Sequence, residues 1–414
     1  MLQFVVFAVT IIIVLVAAVI FLLPGSKKIT TIPGPDPVDF LEGNFPDIQA
    51  AGSLHEFLVE LHQTYGPIAS LWWGPRLTVS IASPELFKEQ SKVFDRPGCI
   101  YEQFKPLLGE DSILFTNGLE GRKRHTAYSK CYSSTLSKEL IAKWSAVPAN
   151  DHIPLRRYMF AFSIKTVLQA SFGSYFNDDK TIYKLRQAYD FVWSEMENRL
   201  LGGITEASRE SLDRFDQLLT WALYFLASHQ DVQDQLFEEL NMVLGDKDVE
   251  PENYNDLNLM ANDLLLSPTS DPESPENEDE TLRCSVLSPF AARVQDVDTE
   301  LGGHRVPAGT PVIQAVGVVL KDPEIYPDPD RFDPDRFSDE MKKTRPNLSF
   351  EPFGFAGKRI CPGYQFALAE SAVLLAAIIR SFKVKLIDDQ VVVPEHGLLT
   401  KPKEEIWITL SKRK

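Results

Sequence analysis

One cysteine stands where a basic, glycine-rich turn meets a long apolar helix, and this junction constrains the chain most. Cys361 follows residues 354–360 and precedes Pro362, which suits the first turn of a helix. The glycines let backbone N–H groups face the sulfur, and Lys358, Arg359 and the helix N-terminus favour the thiolate. A thiolate in this position can bind a metal, whereas an isolated cysteine is ordinarily a buried, inert thiol.

This loop resembles the haem-ligating loop of the cytochromes P-450, which has Arg two positions before the cysteine, Gly four before and Gly two after. Arg359, Gly357 and Gly363 stand at those positions. The resemblance implies haem b with its iron bound by the Cys361 thiolate, and a haem propionate paired with Arg359. The family usually has an aromatic residue seven positions before the cysteine, where this chain has a glycine followed by Phe355.

The resemblance covers the whole chain and implies a mainly α fold with a small β region. The N-terminus, residues 52–58, residues 192–195 and the tail 405–413 are closest to the orphan family twenty, subfamily A. The implied reaction inserts one oxygen atom from dioxygen into a small organic substrate. NADPH would supply the electrons through a flavoprotein, NADPH-cytochrome P-450 reductase.

An apolar segment at the N-terminus predicts a membrane anchor. Every residue but one is apolar from Phe4 to Leu23, and about 20 helical residues cross about 30 Å of hydrocarbon. Lys27 and Lys28 follow, so the positive-inside rule places the body in the cytoplasm. A cleaved signal peptide is the alternative, but a basic n-region is missing. We expect residues 1–25 to be a single-pass anchor in lipid, in the endoplasmic reticulum membrane as in microsomal members of the family.

The remaining boundaries follow from composition. The prolines of residues 26–45 predict a stiff hinge, and residues 46–414 are interpreted as the haem domain.

A net charge of −16 argues against a nucleic-acid partner. The four cysteines are far apart without zinc-like spacing, which suits a reducing compartment. Lys342, Lys343, Arg345 and Lys358 could supply a basic face for an acidic reductase.

Local patterns predict the first elements of the body. Ser53 is expected to cap a helix, and residues 68–73 and 77–81 are expected to form two strands joined by a turn. His55 and His62 lie on this helix and are predicted to be solvated.

A second haem contact is expected in the segment around residue 121. The family usually has Trp-x-x-x-Arg in a helix that contacts the propionates, and Gly121 and His125 take those places here. His125 is therefore a candidate cofactor-binding residue. A basic, solvated helix start is the alternative.

The distal helix of the family is matched only in part. Residues 221–233 resemble its C-terminal half and the next helix, whereas residues 208–217 are a charged run in place of the expected acid and alcohol that deliver protons to oxygen. A charged run of this length cannot line an apolar pocket, so we expect a deletion near residue 217 and an incomplete helix before Trp221. The catalytic residues remain unknown. The alternatives to an active enzyme are a haem-binding but impaired protein and a non-functional isoform without haem.

An acidic segment precedes Glu280 and Arg283, two residues of opposite charge. Residues 271–280 hold six acids and no base, which predicts a disordered acidic insert at about 263–279. Glu280 and Arg283 then share one helix face, a spacing that is often only a surface ion pair. The resemblance implies that Glu280, Arg283 and Arg336 form a network that braces the haem loop.

Overall fold

The computed structural model describes residues 30–101, 117–118, 135–148, 151–172, 214–245, 247, 280–353, 360–361, 363–388, 390–397 and 399–413. Helices predominate in these ranges and the sheets are small, which confirms the predicted fold class. The helices are α1 (Phe45–Ala51), α2 (Leu54–Tyr65), α3 (Pro84–Gln90), α4 (Gly98–Tyr101), α5 (Thr135–Ser145), α6 (Leu155–Phe172), α7 (Arg214–Ser228), α8 (Gln230–Leu244), α9 (Glu280–Ser285), α10 (Val316–Leu320), α11 (Asp339–Lys342) and α12 (Tyr364–Ser381), with a 3₁₀ helix at Pro334–Phe337.

The strands form two sheets and two hairpins. Their bounds are β1 (Ile68–Trp73), β2 (Arg76–Ile81), β3 (Ile153–Pro154), β4 (Ala291–Arg293), β5 (Thr299–Leu301), β6 (His304–Val306), β7 (Val312–Gln314), β8 (Phe382–Leu386), β9 (Pro394–His396), β10 (Thr400–Pro402) and β11 (Trp407–Lys412). One sheet has the order β1-β2-β7-β4 and the other β3-β11-β8, while β5–β6 and β9–β10 are separate antiparallel pairs. The predicted hairpin of β1 and β2 is confirmed, with Gly74 at φ 57° in its turn, a region that glycine adopts without strain.

Helix α2 begins as its sequence predicts, but its two histidines are buried. The Ser53 side chain accepts a hydrogen bond from the N–H of Glu56 at 3.1 Å. The prediction that His55 and His62 are solvated is wrong, because only 5% and 7% of these residues is exposed. Strands and helices distant in sequence cover this face of α2, and the helical pattern alone carries no sign of them.

His62 connects α2 to strand β2. Its Nδ1 donates to Gly66 O at 2.8 Å, and its Nε2 accepts from the Ser80 hydroxyl at 2.8 Å. Burial lowers the pKa of His62 to about 4, although the bond to Gly66 opposes this shift. The ring is therefore neutral near pH 7 and satisfies both partners.

Helix α12 lies in the main core and fixes the segment that precedes it. Leu374, Leu375, Ile378 and Ile379 are at most 1% exposed, and the helix packs against α5, α7 and α8. Burying each such side chain contributes about 1.5–3 kcal/mol. Because α12 is held along its length, the position of its first turn is also fixed.

Gln233 joins helix α8 to strand β8 at the far end of α12. Its Nε2 donates to Leu226 O at 2.7 Å and to Val384 O at 2.9 Å, and its Oε1 accepts from the N–H of Val384 at 2.9 Å. The side chain is fully buried. This amide completes the edge of β8 much as a neighbouring strand would.

No helix in the part of the chain that the structure describes is long and apolar enough to span a membrane. The predicted anchor at residues 1–25 lies outside the described residues, as do residues 263–279 and 208–213. The anchor, the acidic insert and the deletion therefore stay predictions.

Candidate functional site

Cys361 closes a loop at the entrance to helix α12. Its backbone N–H donates to Phe353 O at 3.0 Å, and the N–H of Tyr364 donates to Cys361 O at 3.3 Å. The rings of Phe353 and Tyr364 lie 5.9 Å apart. The two ends of the loop, at Phe353 and Cys361, are therefore held together by backbone hydrogen bonds and by the contact between the Phe353 and Tyr364 rings.

Cys361 carries a free thiol. The residue is half-buried, packs against the main core and forms no disulfide. Gly363 is the N-cap of α12, and a Cβ there would meet no described atom within 4 Å. The thiol therefore lies two residues before the N-cap of this helix, and sulfur is a ligand type that soft or borderline metal ions prefer.

A buried ion pair lies at the start of helix α9. Arg283 donates from Nε to Glu280 Oε2 at 2.6 Å and from Nη2 to Glu280 Oε1 at 2.8 Å, and both side chains are fully buried. Burial by itself would lower the pKa of the guanidinium, but the hydrogen bond to Glu280 and the neighbouring charges together outweigh burial and raise this pKa. Such a fork is the strong form of the carboxylate pair, and removing either partner costs about 3–5 kcal/mol.

Arg283 also holds the chain that follows α10. It donates to Leu320 O at 3.1 Å, Pro329 O at 2.7 Å and Arg331 O at 3.2 Å. One guanidinium therefore satisfies backbone carbonyls from two separate segments, which fixes the proline-rich stretch, residues 326–337, against α9.

Arg336, the third residue of the predicted network, contacts the Glu280–Arg283 pair through the Glu280 carboxylate. Arg336 Nε lies 3.4 Å from Glu280 Oε1, and the N–H of Asp333 donates to the same oxygen at 2.9 Å. Arg336 also donates to Asp328 O at 2.9 Å. The structure therefore brings Glu280, Arg283 and Arg336 together around one carboxylate, and we call these three residues the Glu280 network.

Aromatic contacts connect the Glu280 network to the segment before the cysteine loop. The Tyr326 ring lies between the guanidinium groups of Arg283, at 5.2 Å, and Arg345, at 5.3 Å. Tyr326 donates to Ser349 O at 3.3 Å, and Arg345 donates to Arg336 O at 3.0 Å. Ser349 lies four residues before Phe353, so the network reaches the start of the loop. Arg345 is half-buried in this cluster, and its predicted place on a basic face stays a prediction.

The comparisons with known proteins decide the family. The model of the family Cytochrome P-450 matches residues 32–200 and 217–409. This chain belongs to the cytochrome P-450 family. It is a monooxygenase of the P-450 type, and the family implies haem as the cofactor.

Full-length relatives agree with this assignment. The chain is 30% identical to Cytochrome P-450 20A1 of Homo sapiens over 484 positions and 32% identical to that of Mus musculus over 481, with 100% of each chain covered. The fold resembles the crystal structure of the cytochrome P-450DA heme domain, with a TM-score of 0.70 and 20% identity over 92% of this chain and 97% of that chain. Both sequence alignments are longer than the 414 residues of this chain, so positions in the relatives lack a counterpart here.

Four P-450 positions predicted at the haem lie outside the described residues, namely Phe355, Gly357, Arg359 and His125. Their roles stay predictions. Cys361 and Gly363 are the predicted cofactor-binding positions that the structure describes, and they flank the same turn.

Sequence reasoning missed a buried cation and acid near this P-450 loop. Arg293 on β4 is 1% exposed and donates to Ala292 O at 2.9 Å. Burial raises the pKa of Glu351 to about 8, while the charge of Arg293 lowers it. Glu351 lies two residues before Phe353, so this pair is next to the loop start. A single Arg at the end of a short apolar strand gives no sign of this in sequence.

Residues 221–233 are helical in α7 and α8, which are separated at His229, and α7 begins at Arg214, seven residues before Trp221. Their identity as the distal helix stays a prediction. Trp221 Nε1 donates to Thr400 O at 3.2 Å, and Thr400 Oγ1 donates to Val286 O at 2.7 Å. Phe225 stacks on Phe332 with ring centroids 4.6 Å apart. The helix is therefore held at both the β9–β10 hairpin and the proline-rich stretch.

Proposed function

We propose that this chain is a haem-thiolate monooxygenase that inserts one oxygen atom of dioxygen into a small organic substrate. The observation that carries the proposal is the free thiol of the half-buried Cys361 just before α12, in a loop whose ends are held by Phe353 and Tyr364. A thiol placed in this way has the chemistry of the axial ligand that the family implies.

The residues present fit a haem group. Cys361 offers a sulfur ligand, and Gly363 leaves open space at the N-cap of α12. When bound, haem supplies the oxygen chemistry, and thiolate ligation favours O–O cleavage. Arg359 would pair with a propionate, while Phe355, Gly357 and His125 are proposed as further contacts on the basis of the resemblance.

The Glu280 network would hold Cys361 in position without touching the cofactor. Its carboxylate fixes Arg283 and Asp333, and the Tyr326 cluster passes that constraint to Ser349. An axial ligand must keep one orientation to hold a metal. The network therefore supports ligation by limiting the movement of the loop start.

The electron source and location belong to the same proposal. Residues 1–25 would anchor the chain in the endoplasmic reticulum membrane, residues 26–45 would form the hinge, and NADPH-cytochrome P-450 reductase would deliver electrons from the cytoplasmic side. The apolar N-terminal segment and the basic pair after it support this. The exposed Lys343 is the described candidate for docking the reductase.

The first test is ligation. The full chain is purified in detergent, reduced with dithionite and exposed to carbon monoxide, together with Cys361→Ala and the control Cys99→Ala. We expect a thiolate-type Soret band in the wild type and in Cys99→Ala, and its loss in Cys361→Ala. A wild-type chain without haem, or a band that survives Cys361→Ala, would reject the proposal.

The second test is turnover. The same protein is combined with NADPH, its reductase and a panel of small organic molecules, and oxygenated products are measured by mass spectrometry. We expect a product that contains one atom of labelled oxygen. Stable thiolate ligation with NADPH consumed only to reduced oxygen, for every substrate, would indicate the impaired alternative.

A further inference from the structure

A thiol that no motif predicts lies inside the Glu280 network. Arg283 Nη2 donates to Cys284 Sγ at 2.9 Å, and Cys284 Sγ lies 3.4 Å from Glu280 Oε1 and 3.8 Å from Arg331 O. The sulfur thus lies between the cation and the anion of the buried pair.

The placement follows from helix geometry. Glu280 and Cys284 are four residues apart on α9, so their side chains lie on the same face one turn apart. Arg283 is the neighbour of Cys284 and extends over the same face. The proline-rich segment closes the far side through Arg331 O.

The thiol carries its proton in this setting. Burial, followed by the charge of Glu280, raises the pKa of Cys284 well above its usual range, although Arg283 opposes this. A protonated sulfur can donate to Glu280 Oε1 and accept from Arg283 at the same time. An aliphatic side chain of similar size could do neither.

Oε1 of Glu280 is the most crowded atom of the network. It receives Arg283 Nη2 at 2.8 Å and Asp333 N at 2.9 Å, with Arg336 Nε at 3.4 Å. A donor from within α9 itself restrains the rotation of this carboxylate. The orientation of Glu280 then decides whether the proline-rich segment is held.

We propose that Cys284 is a positioning residue for the cysteine loop and that its S–H and sulfur lone pair orient the Glu280–Arg283 pair. The effect of Cys284 on the cysteine loop rests on the proposed function, whereas its contact with the Glu280–Arg283 pair does not. The thiol acts through Glu280 and touches neither cofactor nor substrate.

The test separates hydrogen bonding from packing with three substitutions. Cys284→Ser keeps a donor and an acceptor, Cys284→Val fills the volume without either, and Cys284→Ala lacks both. Cys99→Ala is the matched control, since it removes a part-buried thiol on α4, away from α9. Two quantities are measured on the full chain in detergent. These are the rate at which the thiolate-type carbon monoxide band converts to the neutral-ligand band, and the midpoint of thermal unfolding.

We expect conversion roughly tenfold faster for Cys284→Ala and Cys284→Val, as for a lost hydrogen bond to a charged group. Cys284→Ser should convert more slowly than both, and Cys99→Ala should match the wild type. Conversion in Cys284→Val that equals the wild type while Cys284→Ser is fast would overturn the proposal in favour of packing. Four variants that all match the wild type would overturn it as well.

The unfolding midpoints keep the two proposals distinguishable. If the wild type shows no thiolate-type band, the proposed function fails, but Cys284→Ser should still unfold at a higher temperature than Cys284→Val. The reverse order of midpoints rejects the hydrogen-bonding role of Cys284 independently of haem.

Discussion

The backbone N–H of Cys361 donates to the carbonyl of Phe353 at 3.0 Å. This bond closes the loop through main-chain atoms, so it survives any change of the Cys361 side chain. The ligand and the shape of the loop are therefore separable.

Cys361→Ala should abolish haem binding while the fold persists. The side chain is half-buried and the loop-closing bond is made by the backbone, so we expect the free energy of unfolding of the haem-free chain to change by less than about 1 kcal/mol. Urea denaturation of haem-free wild type and variant measures this. A much larger loss would show that the sulfur itself packs the loop.

Arg283→Ala should be among the most damaging substitutions in this chain. It leaves Glu280 buried without its fork and removes the donor to Leu320, Pro329 and Arg331. We expect a loss of about 3–5 kcal/mol in the free energy of unfolding, together with a lower haem content. The control Arg305→Ala removes a solvent-exposed pair with Asp298, for which we expect at most about 1 kcal/mol. Equal losses in the two variants would contradict the importance of burial.

Gln233→Ala should loosen strand β8 from helix α8. It leaves Val384 N–H, Val384 O and Leu226 O without their amide partner, and each buried group left unsatisfied costs about 1–3 kcal/mol. We expect hydrogen exchange at Val384 to accelerate and the unfolding midpoint to fall. Asn241→Ala, on the exposed face of the same helix, should do neither, and exchange at Val384 that stays slow in Gln233→Ala would refute the link.

Acid should destabilise the chain partly through His62. Its pKa is about 4 in the folded chain against 6.5 unfolded, so the unfolded state binds the proton first. This contribution is complete above about pH 6.5 and is lost as the pH falls towards about 4. His62→Gln should flatten the dependence of unfolding free energy on pH in that window, whereas His152→Gln, at an exposed position, should leave it unchanged. An unaltered slope in His62→Gln would mean that the ring is not buried neutral.

The parts of the site that residue spacing alone predicted are local in the chain, whereas the place of Arg336 beside Glu280 was implied by the family resemblance. Cys361 and Gly363 lie within one turn, and Glu280 and Arg283 within one helical turn, so spacing alone places them together. The capping of α2 by Ser53 and the β1–β2 hairpin are local in the same sense. Short separation leaves the backbone few conformations, and residue type then selects among them.

What sequence did not predict depends on contacts between distant segments. Cys284 and Arg331 meet across 47 positions, and His62 meets Ser80 across 18. Arg345 and Tyr326 meet across 19 positions.

The sequence by itself determined the place of Cys361 before a helix, that helix and the paired charges of Glu280 and Arg283, because each depends on neighbouring residues. Only the tertiary structure decided which histidines are buried, which arginine is interior and that a thiol joins the Glu280 network. Burial is a property of what covers a side chain, and the covering segments come from elsewhere in the chain.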